Sequence, residues 1–159
     1  MQVRKVNSSD YDVIIPLIDE WWAGRKMSDK LPRLFFSHFS NTSFVFEKQG
    51  EIIGFLIGFL SQEKENEAYI HFVGVHPNYR KMKIARQLYF EFFSKAKQHG
   101  RDTIRCITSP VNKGSIEYHT KMGFDIEESN FVVDGVSVFL EYDGPEQPRV
   151  LFVKKLKDL

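Results

Sequence analysis

The chain is poor in features that would commit it to several large classes of protein. Cys106 is its only cysteine, so no intramolecular disulfide can form and a thiolate-rich metal site is excluded. In the apolar run 103–108 that cysteine reads as a small interior residue. No stretch approaches the roughly 18 apolar residues of a membrane span. The opening residues, Met1 to Asn7, carry no apolar signal core, which makes the cytoplasm the expected location. Net charge is also missing: 22 Lys and Arg stand against 21 Asp and Glu, so any contact with nucleic acid or an anionic surface must be local.

What remains is an ordinary globular balance with many large rings, among them 15 Phe in 159 residues, enough for one core and read as a single domain over 1–159. The elements alternate. A short strand over 2–7 precedes a helix that Ser9-x-x-Asp12 marks as a capping box, with Val13, Ile14, Leu17, Ile18 and Trp21 at helical spacing. Pro16 either kinks that helix or shows that it begins later. A second helix is predicted over Leu31–Phe39. Strands over 43–48 and 51–61 meet at Gln49-Gly50, and Gly54 and Gly58 predict a bulge or bend in the second. A strand over 68–75 stops at His76-Pro77. A long helix over 83–99 places Ile84, Leu88, Phe92 and Ala96 on one face and ends at Gly100. A strand over 103–108, a helix over 115–122 and strands over 131–142 and 149–155 complete an α+β sandwich with a mixed sheet rather than a doubly wound fold.

The segment Val73 to Arg86 carries the chemistry. A strand runs into a turn, Arg80, Lys81, Lys83 and Arg86 follow, and a helix starts at once. Helix N-termini expose unpaired N–H groups and a partial positive charge, so cations there are unfavourable until an anion arrives. A solvated basic helix start is the alternative.

Here the sequence resembles the Gcn5-related N-acetyltransferases (GNAT superfamily). Their motif Arg/Gln-x-x-Gly-x-Gly/Ala follows a strand ending Val-x-Pro; this chain has Val75-His-Pro77, then Arg80-Lys-Met-Lys83-Ile-Ala85. Their second motif, Asn-x-x-Ala/Ser-x-x-Phe-Tyr-x-Lys-x-Gly-Phe, is matched by Asn112 to Phe124. The resemblance implies the GNAT fold: a mixed, mostly antiparallel sheet of six to seven strands, flanked by about four helices and splayed between its two central strands. It also implies acetyl-CoA as co-substrate, with no metal, and an amine acceptor that the sequence does not name. Neither nucleic acid nor membrane is expected as a partner, and a homodimer is left open.

Carried over by residue, backbone groups of Val73, Gly74 and Val75 would meet the pantetheine arm. Arg80, Lys81, Met82, Lys83, Ile84, Ala85 and Arg86 would cradle the pyrophosphate, and Asn112 and Ser115 would flank the cofactor. Two positions depart from the pattern. Lys83 stands at the first glycine, and His119 at the tyrosine that protonates the departing thiolate. A phenol, with a pKa of about 10, stays protonated at neutral pH, whereas an imidazole at about 6.5 is mostly neutral with one N–H to give. His119 is thus a candidate acid or a packing residue. For the general base, Glu67 and His71 are the candidates on the preceding strand, where alternation places Tyr69, His71 and Val73 on one face. Asp19-Glu-Trp-Trp22 and Glu141-Tyr-Asp143 are candidates for holding a cationic amine. A CoA-binding module without efficient transfer, and a nucleic-acid binder using 80–86, are the competing readings.

Overall fold

The computed structural model describes residues 2–157. In chain order the elements are β1 (Gln2–Lys5), α1 (Asp10–Trp21), α2 (Leu34–His38), β2 (Phe44–Lys48), β3 (Glu51–Leu60), β4 (Glu67–Val75), α3 (Ile84–Gln98), β5 (Thr103–Thr108), α4 (Lys113–Lys121), β6 (Asp125–Ile126), β7 (Phe131–Val133), β8 (Val136–Val138) and β9 (Val150–Lys155). Seven strands form one sheet in the order β1-β2-β3-β4-β5-β9-β6. Its β4–β5 contact is parallel and every other pairing is antiparallel. The fold is the mixed α+β sandwich that the motifs implied.

Strand alternation sorts the core into two layers. Phe44, Phe46, Leu56, Ala68 and Ile70 pack toward α3, whose Ile84, Leu88, Phe92 and Ala96 form the expected stripe, joined by Tyr89 and Phe93. Val45, Phe55, Ile57 and Phe72 pack toward α1 with Ile14, Ile18 and Trp21, and toward Leu31 and Phe36. Burying each such large side chain is worth about 1.5–3 kcal/mol, which is what clamps both helices to the sheet. The glycines of β3 make room for α3: a Cβ on Gly58 would stand 2.4 Å from Phe92 Cε1, and one on Gly54 2.9 Å from Ile84 Cγ2.

Several local expectations change. Ser9 does not cap α1; the Asp10 carboxylate instead accepts from the Asn7 N–H at 2.7 Å and from both Nη atoms of Arg4. Helix α1 runs unbroken through Pro16. The helix expected over 31–39 shrinks to five residues between two 3₁₀ turns, Ser28–Lys30 and Ser40–Thr42. Helix α4 begins two residues early, because the Asn112 side chain caps it by accepting from Ser115 N–H at 3.2 Å. The strand expected over 131–142 is instead a separate hairpin, β7–β8, turning at Asp134 and Gly135, which have φ of 51° and 80°. Asp-Gly is the dipeptide such a turn favours. The two-residue strand β6 had no counterpart among the expected elements.

Candidate active site

The parallel pairing of β4 with β5 lasts only from Glu67↔Thr103 to Tyr69↔Arg105. Beyond Tyr69, β4 keeps β3 as its partner while β5 follows β9, and the two central strands part. A cleft of about 660 Å³ opens there, lined by Val73, Gly74 and Val75 on one side and Cys106, Ile107 and Thr108 on the other. His76 donates its N–H to Ile53 O at 2.8 Å, toward β3. Since backbone groups alternate along a strand, Val75 and Val73 aim theirs away from β3, into the cleft. These strand edges face a space of ligand size, with Val75 O already accepting from Arg80 Nε. Gly74 is required by the packing beside it: a Cβ there would lie 2.6 Å from Phe55 Cε1 and 2.9 Å from Trp22 Cη2.

A bulge sets the position of His71. Neighbouring Ile57 and Gly58 on β3 pair with Phe72 and Ile70, so His71 is the extra residue on β4. The bulge reverses the side-chain parity beyond it. Tyr69 stacks on Phe59 and His71 on Phe35, whereas Val73 packs with the α3 layer. The expectation that Tyr69, His71 and Val73 share one face is therefore corrected, because it assumed an unbroken alternation. The His71 ring lies 4.1 Å from that of Phe35 and nearly parallel to it, and its Nε2 is 2.7 Å from Lys30 O. A carbonyl only accepts, so Nε2 carries the proton and Nδ1 holds a lone pair. Burial lowers the pKa of His71, against the opposing pull of the Lys30 carbonyl and Asp143. The ring is neutral at neutral pH and lines the cleft.

The turn after β4 is held by Arg80, which donates to Val75 O at 3.2 Å and to Trp21 O, joining the strand end to α1. Lys83 precedes α3 in the left-handed conformation, φ 60° and ψ 23°. Lysine thus occupies a conformation that costs about 1–2 kcal/mol in a residue bearing a Cβ. Gln87 donates to Lys83 O, so the N–H groups of Ile84, Ala85 and Arg86 precede the first helical acceptor and have no intrahelical partner. Met82 N–H is already used on Tyr79 O. Of the basic run, Arg80 and Ala85 line the cleft, while Lys81, Met82, Lys83 and Arg86 are exposed around the helix start.

Helix α4 forms the far wall with Asn112, Ser115, Tyr118 and His119. His119 is 7% exposed and stacked on Phe152. Its Nδ1 lies 2.7 Å from Ser115 O and its Nε2 2.8 Å from the Tyr89 hydroxyl. The carbonyl requires Nδ1–H, so Nε2 accepts from Tyr89 and both nitrogens are engaged. Burial lowers the pKa of His119, with the Ser115 carbonyl opposing. The neutral ring therefore has no free proton to give. Cys106 lies on the floor, and burial holds its thiol well above the usual range, which removes a thiolate nucleophile.

Glu67 is not brought to this cleft. Its Oε1 lies 2.9 Å from Arg105 Nε, at the closed end where β4 and β5 still pair. Two of the four carboxylates named for the acceptor, Asp19 and Asp143, are already engaged. Asp19 accepts from Met27 N–H, Ser28 N–H and Ser28 Oγ, which ties down the loop after α1, and Asp143 pairs with Arg149 at 3.0 Å. Trp21 is buried in the core and borders the cleft together with Trp22, which packs against Phe72. Sequence reading missed Tyr89 and Tyr118. Tyr118 lies within the Asn112–Phe124 motif, but nothing local marks Tyr89, which meets His119 from thirty residues away.

With this geometry in view, the chain belongs to the acetyltransferase (GNAT) family, whose model matches residues 11–124. It is similar to an uncharacterised N-acetyltransferase of Methanocaldococcus jannaschii, 33% identical over 89 residues, covering 54% of this chain and 39% of that protein. The match thus spans about two fifths of the relative's length. Among solved structures, Ard1 from Thermoplasma volcanium superposes with a TM-score of 0.79 at 17% identity, covering 99% of this chain and 98% of that one. The yncA protein from Salmonella typhimurium, solved with its cofactor acetyl-CoA, gives 0.71 at 15%, covering 100% and 95%. Naa20 from Chaetomium thermophilum, solved with a bisubstrate analogue, gives 0.74 at 18%, covering 98% and 87%. These structures share the fold. Among the described residues no helix is long and apolar enough to cross a membrane.

Proposed function

We propose that this protein transfers the acetyl group of acetyl-CoA to an amine of a small molecule or peptide by direct attack within a ternary complex. The observation that carries the reading is the parting of β4 and β5 after Tyr69, which leaves backbone groups of Val73 and Val75 facing a cleft that leads to the α3 N-terminus. The residues present suit the ligand. The strand edge matches an amide-bearing pantetheine arm, and the unpaired N–H groups of 84–86 match a pyrophosphate. Asn112, whose Oδ1 caps α4, keeps its amide N–H groups for the cleft.

Bound there, acetyl-CoA supplies an acyl group on a leaving thiol. His71 takes the proton from the attacking amine through Nδ1, while Nε2–H anchors the ring to Lys30 O. Backbone N–H of Val73 or Val75 stabilises negative charge developing on the carbonyl oxygen. His119 acts by position, holding the Tyr89 hydroxyl. A CoA thiolate resembles a cysteine thiolate, with a pKa of about 8.5, so its departure demands little assistance.

Titration calorimetry with acetyl-CoA, followed by a thiol-release screen of amines, tests the reading. Stoichiometric binding and CoA release with an amine support it. Binding without turnover of any amine favours a CoA-binding module, the reading that the engaged His119 and strained Lys83 motivate. Absence of binding eliminates both.

A further inference from the structure

Two buried side-chain polar atoms among the described residues have no hydrogen-bond partner, Arg105 Nε and the Tyr118 hydroxyl. The first at least faces Glu67 Oε1 at 2.9 Å. For the second the protein supplies nothing. A buried hydroxyl without a partner is destabilising, so one that persists beside a cavity calls for a ligand.

The surroundings of Tyr118 narrow the ligand. Its ring meets those of Tyr89 and His119 edge-on, at 5.7 and 6.0 Å between centroids. The polar atoms of those two residues are bonded to each other, so neither turns to Tyr118 without breaking a 2.8 Å contact. Tyr118 lines the cleft on the α4 wall, with Ala85 lining it from α3. Burial raises the pKa of this hydroxyl, so it stays protonated as a donor, and the positive charge of Arg86 in the first turn of α3 opposes that shift. The same turn presents the unpaired N–H groups of Ile84, Ala85 and Arg86. This end of the cleft is therefore built for negative charge. The other end, at the His71 bulge, has a neutral imidazole and apolar rings.

We propose that the Tyr118 hydroxyl is a cofactor-binding group that donates a hydrogen bond to a phosphate oxygen of acetyl-CoA from the α4 side of the cleft. The assignment rests on the acetyl-CoA reading above. It gives α4 a phosphate contact to face the donors of α3. It also separates Tyr118 from the thiolate-protonating role that the family motif attaches to the next position, 119.

The test is Tyr118→Phe, with calorimetry on three probes: CoA, its phosphate-bearing fragment 3′-phospho-ADP, and acetyl-pantetheine, which lacks the phosphates. A hydrogen bond to a charged acceptor predicts that affinity for CoA and for 3′-phospho-ADP falls by about tenfold or more, with acetyl-pantetheine unchanged. The ligand-free variant should melt no lower than the wild type, since it loses an unsatisfied polar atom. A purely structural hydroxyl would instead show a lower melting temperature and no preference among the probes. Unchanged affinity for the phosphate-bearing probes, or a loss confined to acetyl-pantetheine, overturns the assignment. A wild type that binds none of the probes removes the acetyl-CoA reading together with it; a wild type that binds them alongside an unaffected variant removes only the role of Tyr118.

Discussion

The Tyr89 hydroxyl lies 2.8 Å from Nε2 of His119, and the other nitrogen of that ring lies 2.7 Å from the Ser115 carbonyl. One hydrogen bond crosses from α3 to α4 and the other runs back along α4. Together they convert the residue at the position of the family tyrosine into a buried brace between helices.

His119→Phe should therefore change stability more than chemistry. The Tyr89 O–H loses its acceptor inside the core, which costs about 1–3 kcal/mol and is readable by urea unfolding. The rate at saturating acetyl-CoA should stay within about threefold. A loss of a hundredfold or more in a variant that remains folded would restore His119 as the acid.

Lys83→Gly should stabilise the protein by about 1 kcal/mol, because glycine adopts φ of 60° without the Cβ penalty. Lys83→Ala keeps the penalty and should show no such gain. Comparing CoA affinity in the two variants separates backbone strain from the lost charge. Equal stability of the two would contradict the strain argument.

The two cleft histidines tie stability to pH. Both have pKa values lowered from 6.5, so between that value and their folded values the unfolded chain binds more protons. Their contribution is complete above about pH 6.5 and is lost as pH falls through the folded pKa values. Melting temperature should fall on acidification below pH 6.5, with a shallower slope in His119→Phe. If His71 is the base, kcat/KM should also fall on the acid side, with a midpoint below 6.5. An acid limb that survives in His71→Gln would remove that role.

Gly58→Ala should destabilise by about 1–3 kcal/mol, since its Cβ would stand 2.4 Å from Phe92 Cε1, a side chain with no exposure of its own. Shortening the opposing ring with Phe92→Leu in the same chain should recover part of the loss. A neutral single substitution would mean that α3 shifts freely on β3.

Much of this site was legible because it is written locally. Val75-His-Pro77 and the basic residues after it mark a strand, a turn and a helix start within a dozen positions, and the structure has them there. Gly123 marks the end of α4 in the same way, while its start falls two residues before the expected one, at the Asn112 cap. The hairpin at Asp134-Gly135 carried an equally local signal, which the apolar run around it obscured. The bulge at His71 had no such mark. An extra residue on β4 is defined only by its pairing with Ile57 and Gly58 on β3, and it alone reverses the faces of Val73 and Phe72.

By itself the sequence determined the periodicity of α3, the apolar runs of β2 to β4, the anion-suited start of α3 and the two motifs that mark the family. These depend on neighbours within about two turns or a few strand positions, where spacing dictates which side chains face together. Only the tertiary structure decided which polar groups remain available. Arg80 is turned to Trp21 and Val75, Glu67 to Arg105, Asp19 to its own loop and His119 to Tyr89, while Tyr118 stays unpartnered. Hydrogen bonds are short and directional, so the use of each donor and acceptor depends on partners that packing brings from distant parts of the chain.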